Sequence, residues 1–385
     1  MIVAVDTNCI LPGQVGGIEN YTLGLIEALK IPQSPAKNLI LLTRPENHSL
    51  FAGFADERTE VVLLERPRQS WDELKKRDPA DGKKALTEFQ RLKEDALRRR
   101  AVDLVHFPGN TINPLNLDIP VVLNLHDLQH RHFPQYFSEE EIAIREKWWV
   151  MSGRRADALI AGSNFIRNDL CGQLGVDQSK IFVTPDVFQA AFLHRPTSEQ
   201  LADLRRRYEL PKTFFIYPAA AWPHKNHQRL IEAFKSAAIE DSQLILTGAA
   251  HSQSAGSENI RFLGRVSTED LVGLYCVATA LVFPSQYESW SIPIMEAMAC
   301  GCPVASSNVT SLPEQVGAAG LIFDPTDISA MARVMRVLAG SKFLRQTLAK
   351  RGWDRVREFS PQNSIQTISR AYEFAQTAHF GKKAA

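Results

Sequence analysis

"ALVFPSQYESWSIPIMEAMACGCPVASS", residues Ala280–Ser307, is the stretch that decides the fold. Its two ends are short runs of apolar and small residues, which predict buried strands. Between them, Pro293 suits the first turn of a helix, because a proline there loses no hydrogen bond. Gly301 suits the left-handed residue that ends such a helix, and Pro303 prevents its continuation. The stretch therefore predicts strand, short helix (about residues 293–300) and strand, the repeating unit of a parallel sheet covered by helices.

The same alternation runs along the whole chain and predicts an α/β protein of two Rossmann-like, doubly wound domains with a ligand cleft between them. We place the first domain at residues 1–195, a polar linker at 196–210, the second domain at 211–360 and a terminal helix at 361–385. Strands of the first domain are predicted at 2–5, 39–42, 60–64, 103–107, 120–124, 158–161 and 180–184. Those of the second are "TFFIYPAA", "QLILTG", "NIRFLG", "ALVFPS", "PVASS" and "GLIFD".

Composition excludes several classes of protein. The net charge of +1 gives no signal for a nucleic-acid partner. The five cysteines lack zinc spacing, which favours reduced thiols and a cytoplasmic protein. No apolar run reaches the roughly 18–20 residues needed to span a bilayer, so any membrane contact is expected to be peripheral. The charged segment 72–100 is interpreted as a solvated helix and loop, with a patch for anionic lipid headgroups as the alternative.

Familiar phosphate and cofactor signatures are missing. The chain has no G-x-G-x-x-G after its first strand, no G-x-x-x-x-G-K-[ST] and no G-x-S-x-G. It also lacks the Asp-x-Asp pair that often holds a metal-bound diphosphate. A phosphorylated ligand would therefore have to be neutralised by basic side chains and helix ends.

The loop and helix after "ALVFPS" form the first candidate site. Free backbone N–H groups from Ser291 to Met295 are expected to bind an anion. Glu296, one turn into the helix, is placed to accept hydrogen bonds from a vicinal diol, and Glu288 to reach the hydroxyls of a sugar. The structural alternative is that Glu296 only complements the helix dipole and that Glu288 is a surface acid.

Two further stretches follow predicted strands. In "YPAAAWPHKNH", Lys225 lies at a strand-to-helix turn, where it could meet a diphosphate, and Asn226 is expected to cap the next helix. In the first domain, Gly16 and Gly17 between strand and helix allow close backbone approach and positive φ. A surface lysine and a simple turn are the structural alternatives.

His126 comes directly after the apolar strand run Val121–Leu125, and therefore at the end of that strand where ligands bind. His130 and His132 follow within the same predicted loop. Their spacings of four and two residues do not follow one helical or strand period, so we do not expect these histidines to bind a metal.

Together these segments resemble the retaining, nucleotide-sugar-dependent glycosyltransferases of group 1 (family four), which have the GT-B fold, two Rossmann-like domains facing each other across a cleft. The resemblance is carried by segments in the family's order: "GGIENYTLGLIEAL", "HDLQH..FPQYFS", "ADALIAGSNFIRNDL", "FFIYPAAAWPHKNH", "FLGRVSTEDLVGLY", "YESWSIPIMEAMACGCPVASSN" and the ending "RGWDRVREFSPQNSIQTISRAYEFA". It covers nearly the whole chain.

The resemblance implies roles for the residues singled out above. Glu296 would hold the donor's ribose and Glu288 the transferred sugar, while His126 would line the sugar and acceptor pocket. The donor's diphosphate would be bound by several groups: Lys225, the amides near Ser291 and Ile292, and, from the first domain, Gly16 and Gly17. The residues at the reacting centre are thus His126, Lys225 and Glu288. The helix near residues 363–377 would pack on the first domain.

The chain departs from the family pattern at two places. Serines, Ser289 and Ser291, replace both glycines of the usual E-G-F-G-L-P, which predicts a differently shaped loop. Many members also carry an arginine five residues before the lysine, where this chain has Ala220. His224 and Arg265 are the candidates to replace that arginine.

The implied reaction is transfer of a sugar from a nucleoside diphosphate to an acceptor hydroxyl with retention of configuration, without a cofactor or a metal. The resemblance favours mannose from GDP-mannose and a saccharide or lipid-linked saccharide acceptor in surface-polysaccharide assembly. One alternative is a nucleotide-sugar epimerase or hydrolase, which would convert the donor without an acceptor. Another is a non-catalytic binding subunit, which would bind nucleotide without turnover.

Overall fold

All the strands expected from the alternating apolar runs are present, and they form two all-parallel sheets. The computed structural model describes residues 1–13, 17–65, 79–186, 188–248 and 259–384. The chain divides into two units. Unit 1 is Met1–Gly162, Ile166–Thr184 and Pro361–Ala385, and unit 2 is Ser163–Phe165 and Pro185–Ser360.

Unit 1 contains a seven-stranded sheet in the order β3-β2-β1-β4-β5-β6-β7. Its strands are β1 (Ile2–Asp6), β2 (Asn38–Thr43), β3 (Thr59–Leu63), β4 (Leu104–Phe107), β5 (Val121–Asn124), β6 (Ala158–Ala161) and β7 (Ile181–Val183). Every residue of the central strands β4, β5 and β6 is buried. A parallel sheet covered on both faces by helices buries its strands in this way, which explains their unbroken apolar runs.

The described helices of unit 1 separate these strands along the chain. They are α1 (Gly17–Leu29), α2 (His48–Phe51), α3 (Pro79–Arg99), α4 (Gln129–His132), α5 (Glu139–Arg155), α6 (Asn164–Leu174) and the terminal α14 (Pro361–Ala384). The last of these returns to pack on β5, β6 and β7. Its Tyr372 hydroxyl lies 2.8 Å from Nδ1 of the buried His106, and its Lys382 donates to Asp157 at 3.1 Å. Helix α14 thus forms part of the helical layer that covers the unit 1 sheet.

Unit 2 contains a six-stranded sheet in the order β10-β9-β8-β11-β12-β13. Its strands are β8 (Thr213–Pro218), β9 (Ser242–Thr247), β10 (Ile260–Gly264), β11 (Ala280–Phe283), β12 (Val304–Ser307) and β13 (Gly320–Phe323). The first strand, β8, pairs with β9 along its whole length, from Thr213 to Pro218. With β11 it pairs only through Phe215 and Ile216. β8 and β11 are the neighbours at which the strand order reverses.

The described helices of unit 2 are α7 (Ser198–Arg207), α8 (His227–Ala237), α9 (Thr268–Val277), α10 (Ile292–Ala299), α11 (Leu312–Val316), α12 (Ile328–Gly340) and α13 (Lys342–Glu358). The segment expected as a linker, residues 196–210, differs from the prediction because most of it is α7. That helix begins with a complete capping box between Thr197 and Gln200 and buries Leu204 against Gly273 of α9. Its polar composition reflects one exposed face, so the boundary between units falls earlier, at Thr184.

The helix that decides the fold ends as predicted. Gly301 has a φ of 72°, and its N–H donates to Met298 O at 3.0 Å, while Cys302 N–H donates to Ala297 O at 2.8 Å. These two hydrogen bonds satisfy the last carbonyls of α10 in a Schellman motif. The helix begins one residue before the expected Pro293, with Ser291 as its N-cap.

None of the helices in the described ranges is both long and apolar enough to cross a membrane.

Candidate active site

The turn after β8 holds Lys225. Residues Pro223–Lys225 form a short 3-10 helix, and the Lys225 carbonyl accepts from the buried Tyr217 hydroxyl at 2.9 Å. Asn226 was expected to cap α8, but its side chain makes no capping hydrogen bond. Its amide instead donates to Pro284 O at 3.1 Å and to Pro325 O at 2.8 Å. Asn226 therefore fastens the lysine turn to the ends of β11 and β13.

The loop after β11 holds Glu288 between two hydroxyl groups. The Glu288 N–H donates to Oγ1 of Thr310 at 3.1 Å, and the Ser311 hydroxyl donates to the Glu288 carbonyl at 3.0 Å. Both partners lie after β12, the neighbouring strand. The backbone of Glu288 is therefore fixed from both sides, which orients its carboxylate.

Lys225 and Glu288, which are 63 residues apart in sequence, meet in the structure. The Lys225 Nζ donates to Glu288 Oε1 at 2.5 Å, and the two side chains are 19% and 10% exposed. They meet because β8 and β11 are neighbours at the point where the strand order reverses, the usual place for a ligand in an open parallel sheet. No other described residue accepts from Nζ, so this ammonium, which carries three donors, keeps two for a ligand.

The start of α10 supplies fewer free amides than expected. The Ser291 N–H donates to Gln315 Oε1 at 3.0 Å, and the Gln315 side-chain amide donates back to Ser291 O at 2.6 Å. Ile294 N–H donates to the Ser291 hydroxyl at 3.4 Å, and Met295 N–H to the Ser291 carbonyl. Since Pro293 has no N–H, Ile292 carries the one amide of this stretch without a partner among the described residues. The predicted row of free amides is therefore wrong, apart from Ile292.

Serine in place of glycine does not strain the Glu288 loop. Neither Ser289 nor Ser291 has a positive φ, and Ser291 is extended at −103°. The strained position is Thr310, a β-branched residue with a φ of 54°. Such a conformation costs about 1–3 kcal/mol and persists where the surroundings impose it. Here Thr310 supplies the hydroxyl that holds Glu288.

Glu296 lies on α10 and is 5% exposed. Among the described residues only the buried Tyr275 donates to it, at 3.3 Å. Burial raises the pKa of Glu296 to about 8, and the single hydrogen bond from Tyr275 offsets this only in part. In the free protein this group is therefore a neutral acid at pH 7, with the capacity to ionise when a ligand donates to it.

Ala220 stands where many family members have an arginine, and His224 does not supply the missing positive charge. Burial, together with the charge of Lys225, lowers the pKa of His224 to about 3. The imidazole is neutral at pH 7 and adds no positive charge beside the lysine. Arg265, which follows β10, remains the candidate for this role.

In unit 1, His126 lies two residues beyond the end of β5 and is 7% exposed. Its Nε2 is 2.7 Å from the Pro108 carbonyl, and its backbone N–H donates to Asn110 Oδ1 at 2.7 Å. Because a carbonyl only accepts, Nε2 must carry a proton. The Tyr21 ring packs against the imidazole in a T-shaped arrangement, with 5.1 Å between centroids. His126 is thus held in one orientation, with Nδ1 as its second polar atom.

The glycine pair of the first domain is described only in part. Gly16 lies outside the described residues. Gly17 is the first residue of α1 and does not have a positive φ, and no described atom lies within 4 Å of a Cβ placed there. The left-handed glycine is instead Gly13, with a φ of 73°, whose N–H donates to Glu19 at 2.7 Å. The expected positive φ is therefore wrong for Gly17, while close approach of a ligand to its backbone stays a prediction.

The other histidines after β5 have carboxylate partners. His130 Nε2 lies 3.0 Å from Glu146, and His132 Nε2 lies 2.7 Å from Asp169. Within the described part of the chain, no three His, Cys, Asp or Glu side chains are grouped so that they could hold a metal ion.

Gly248 ends β9 against the loop that leads to Lys225. It has a φ of 129°, and a Cβ there would lie 2.6 Å from the Ala219 carbonyl oxygen. We expect Gly248→Ala to lower the free energy of unfolding by about 2–3 kcal/mol, because both the φ and the contact oppose it. Urea denaturation measures the change. Gly340→Ala, where a Cβ meets no described atom, is the control and should change stability by less than about 0.5 kcal/mol. Equal stabilities of the two variants would contradict the expected clash.

Two family models match the chain. The model described as "Glycosyl transferases group 1" matches residues 203–354, which lie in unit 2. The model described as "Glycosyltransferase Family 4" matches residues 15–187, most of which lie in unit 1.

Curated relatives and a solved structure agree with these matches. "O-antigen chain mannosyltransferase B" of Escherichia coli is 30% identical over 285 residues, 70% of this chain and 74% of that protein. "Serotype-specific mannosyltransferase WbdA" of Escherichia coli is 28% identical over 212 residues, 51% of this chain and 26% of that protein, so the chain spans about a quarter of this second relative. Anabaena Alr3699/HepE, solved in complex with UDP and glucose, has a TM-score of 0.73 at 19% identity, with 96% and 98% of the two chains covered. At that identity the likeness concerns the fold, which is GT-B.

Proposed function

This chain belongs to the group 1 glycosyltransferases, and on that premise we propose that it transfers a sugar from a nucleoside-diphosphate sugar to an acceptor hydroxyl with retention of anomeric configuration. The observation that carries the proposal is the Lys225–Glu288 pair at the switch point of the unit 2 sheet. A cation for phosphate oxygens and a carboxylate for sugar hydroxyls stand side by side there. A nucleotide sugar presents those two groups next to each other.

Lys225 has the central chemical role in this proposal. When the bond between sugar and diphosphate breaks, negative charge develops on the departing phosphate. The two free donors of Lys225 and the Ile292 N–H at the start of α10 would stabilise that charge. We propose that they do so without a divalent metal. The departing phosphate, on the same face as the incoming hydroxyl, would accept the hydroxyl's proton.

The two carboxyl groups would bind hydroxyl groups. Glu288 already gives one oxygen to Lys225, so the ion pair would align the carboxylate with the transferred sugar. Glu296 would accept from the donor's ribose diol, and its ionisation would accompany binding. Both glutamates therefore position the donor, and neither is proposed as a nucleophile.

His126 would contribute from unit 1. Since Nε2–H is directed to Pro108, Nδ1 is the ring atom that could bind a hydroxyl of the sugar or of the acceptor. Holding that hydroxyl in place lowers the entropy cost of the transfer step.

For the substrates, we propose mannose from GDP-mannose and a saccharide or lipid-linked saccharide acceptor in surface-polysaccharide assembly. The support is the chain's similarity to O-antigen chain mannosyltransferase B and to serotype-specific mannosyltransferase WbdA, both of which carry that sugar in their names. To reach a lipid-linked acceptor, the protein would act as a peripheral protein at the inner membrane.

Transfer assays with the purified chain test the function. GDP-mannose, UDP-glucose and UDP-galactose are each supplied with and without mannoside acceptors, synthetic and lipid-linked, and the anomeric configuration of the product is read by NMR. We expect product from GDP-mannose only when an acceptor is present, with the donor's α configuration retained. Donor consumption without an acceptor would instead indicate an epimerase or hydrolase. Nucleotide binding with no turnover would indicate a binding subunit.

A further inference from the structure

Helix α5 of unit 1 is long but covers little of the core. Of its 17 residues only Ser152 and Gly153 are buried. Gly153 faces Leu125 and Leu174, where an added Cβ would lie 3.2 Å from the Leu125 side chain. The fully buried part of the helix is therefore confined to its end, and several of its apolar side chains remain exposed.

Three of those side chains form a stripe on the outer face. Ile144 is 50% exposed, Trp148 40% and Met151 43%. Their spacings of four and three residues place them on one side of the helix. The opposite side is occupied: His130 packs edge-on against Trp149 at 5.3 Å, and the Arg145 guanidinium lies 4.6 Å from the same ring. The stripe is thus the part of α5 that the fold leaves uncovered.

The charges around the stripe are basic. Lys147 and Arg154 are exposed on the same face, and Lys147 Nζ lies 5.2 Å from the Trp148 ring. From residue 142 to residue 155 the only acid is Glu146. Its side chain is turned away from the stripe and bound to Arg131 at 2.5 Å and to His130 at 3.0 Å. The stripe therefore presents two unopposed cations along its outer edge.

The acids of α5 are confined to its first turn. Glu139, Glu140 and Glu141 lie there, and Glu141 belongs to the capping box with Ser138. Ile144 lies one turn, about 6 Å, beyond Glu140, and Arg154 lies 14 positions, about 21 Å, beyond it. An anionic surface that approaches the helix at an angle from its Arg154 end can therefore contact the stripe while the first turn stays in water.

The segment first considered for lipid contact is less suited to it. Residues 72–78 lie outside the described part of the chain. Beyond them, Arg100 is paired with Glu60 at 2.5 Å, and the Arg98 guanidinium lies 4.0 Å from Asp95. Those cations already have acidic partners, which Lys147 and Arg154 do not have among the described residues.

We propose that α5 is the surface by which this protein docks on an anionic lipid bilayer. Ile144, Trp148 and Met151 enter the boundary between headgroups and acyl chains, where tryptophan is favoured. Lys147 and Arg154 meet lipid phosphates. The inference deepens the proposed function, since it supplies the membrane on which a lipid-linked acceptor would be presented.

Vesicle co-sedimentation without donor or acceptor tests the proposal separately from the transfer reaction. The full chain is mixed with vesicles of phosphatidylglycerol and phosphatidylcholine, or of phosphatidylcholine alone, at low and high salt. We expect binding to the anionic vesicles, weakened by salt, with a blue shift of tryptophan emission that Trp148→Phe abolishes. Ile144→Ser combined with Trp148→Ser should weaken binding about tenfold or more. Lys147→Glu combined with Arg154→Glu should remove the preference for anionic vesicles.

Phe343→Ser is the matched control, because Phe343 is 80% exposed and lies in unit 2. It should bind as the unaltered protein does. All substituted residues are on the surface, and circular dichroism verifies that the variants fold. Undiminished binding by Ile144→Ser/Trp148→Ser would overturn the proposal. Failure of the unaltered protein to bind anionic vesicles would also overturn it. If the unaltered protein were then a dimer by analytical ultracentrifugation, and Ile144→Ser/Trp148→Ser dissociated that dimer, the stripe would be a contact between two copies.

Discussion

Lys225→Ala is expected to reduce the kcat of sugar transfer by about 10²–10³-fold, the usual loss when one group that stabilises developing charge is removed. The lysine is 19% exposed, makes its one described hydrogen bond to Glu288, and keeps two donors for the departing phosphate. Because that charge is largest in the transition state, kcat should fall more than the donor's KM rises. Steady-state kinetics at saturating acceptor measure both.

Lys235→Ala is the control for the loss of one positive charge from the protein. Lys235 is an exposed residue near the end of α8, so its loss alters the net charge equally but should leave kcat within about twofold. A second control addresses Glu288, which Lys225→Ala leaves without its partner. The double variant Lys225→Met/Glu288→Gln removes both charges and should regain stability but not activity. Recovery of transfer by that double variant would mean that Lys225 only neutralises Glu288.

Glu296→Gln has the second-largest expected effect, because a neutral amide cannot accept two ribose hydroxyls as a carboxylate does. We expect the donor's KM to rise by about 10–100-fold, in line with the loss of one or two hydrogen bonds to a charged group. In the unaltered protein burial raises the pKa of Glu296 to about 8, so a donor that binds the ionised carboxylate, as proposed, would cause release of a proton at pH 7. Donor affinity should therefore increase from pH 6 to pH 8, by up to about tenfold per pH unit.

The same carboxyl group makes stability depend on pH in a defined direction. Its folded-state pKa, about 8, is above the ordinary value of 4.5. Between those values the unfolded chain has lost the proton that the folded chain retains, so the free energy of unfolding falls as pH rises and levels off above pH 8. Glu296→Gln should flatten this decline and be the more stable protein at pH 9.

Thermal denaturation and calorimetric titration of nucleotide, across pH 5–9 and in buffers of different ionisation enthalpy, measure these effects. Glu269→Gln is the matched control, since Glu269 is an exposed acid in the first turn of α9. It should change neither the pH dependence nor the affinity. If Glu296→Gln kept the pH dependence of the unaltered protein, the assignment of that titration to Glu296 would be refuted.

Local signals located the strands and the helix boundaries well. The short apolar runs predicted the parallel strands because a strand buried on both faces has no polar side. Gly301 and Pro303 predicted the end of α10 because glycine favours the left-handed residue that ends a helix and a proline shortly after it cannot continue the helix. The prediction of an interdomain linker differs from the structure at α7, where a polar composition was interpreted as a linker although Thr197 and Gln200 form a capping box. That S/T-x-x-E/Q signature was present in the sequence and could have been used.

Contacts between distant segments decided what the sequence left open. The row of free amides at α10 was expected from the helix start alone, yet Gln315 occupies the Ser291 amide from 24 residues away. Asn226 was expected to cap α8, but Pro284 and Pro325 lie within reach of its side chain. No local pattern reports such partners, because they are brought together by the order of strands in the sheet.

The sequence by itself determined that this protein has two parallel sheets and that Lys225, Glu288 and Glu296 follow strand ends, since periodicity and turn chemistry act over a few neighbouring residues. Only the tertiary structure decided that Lys225 and Glu288 form an ion pair and that Glu296 is buried beside Tyr275. The physical reason is that hydrogen bonding and desolvation depend on which segments become neighbours. In unit 2 that was settled by placing β8 beside β11, although 61 residues lie between the last residue of β8, Pro218, and the first residue of β11, Ala280.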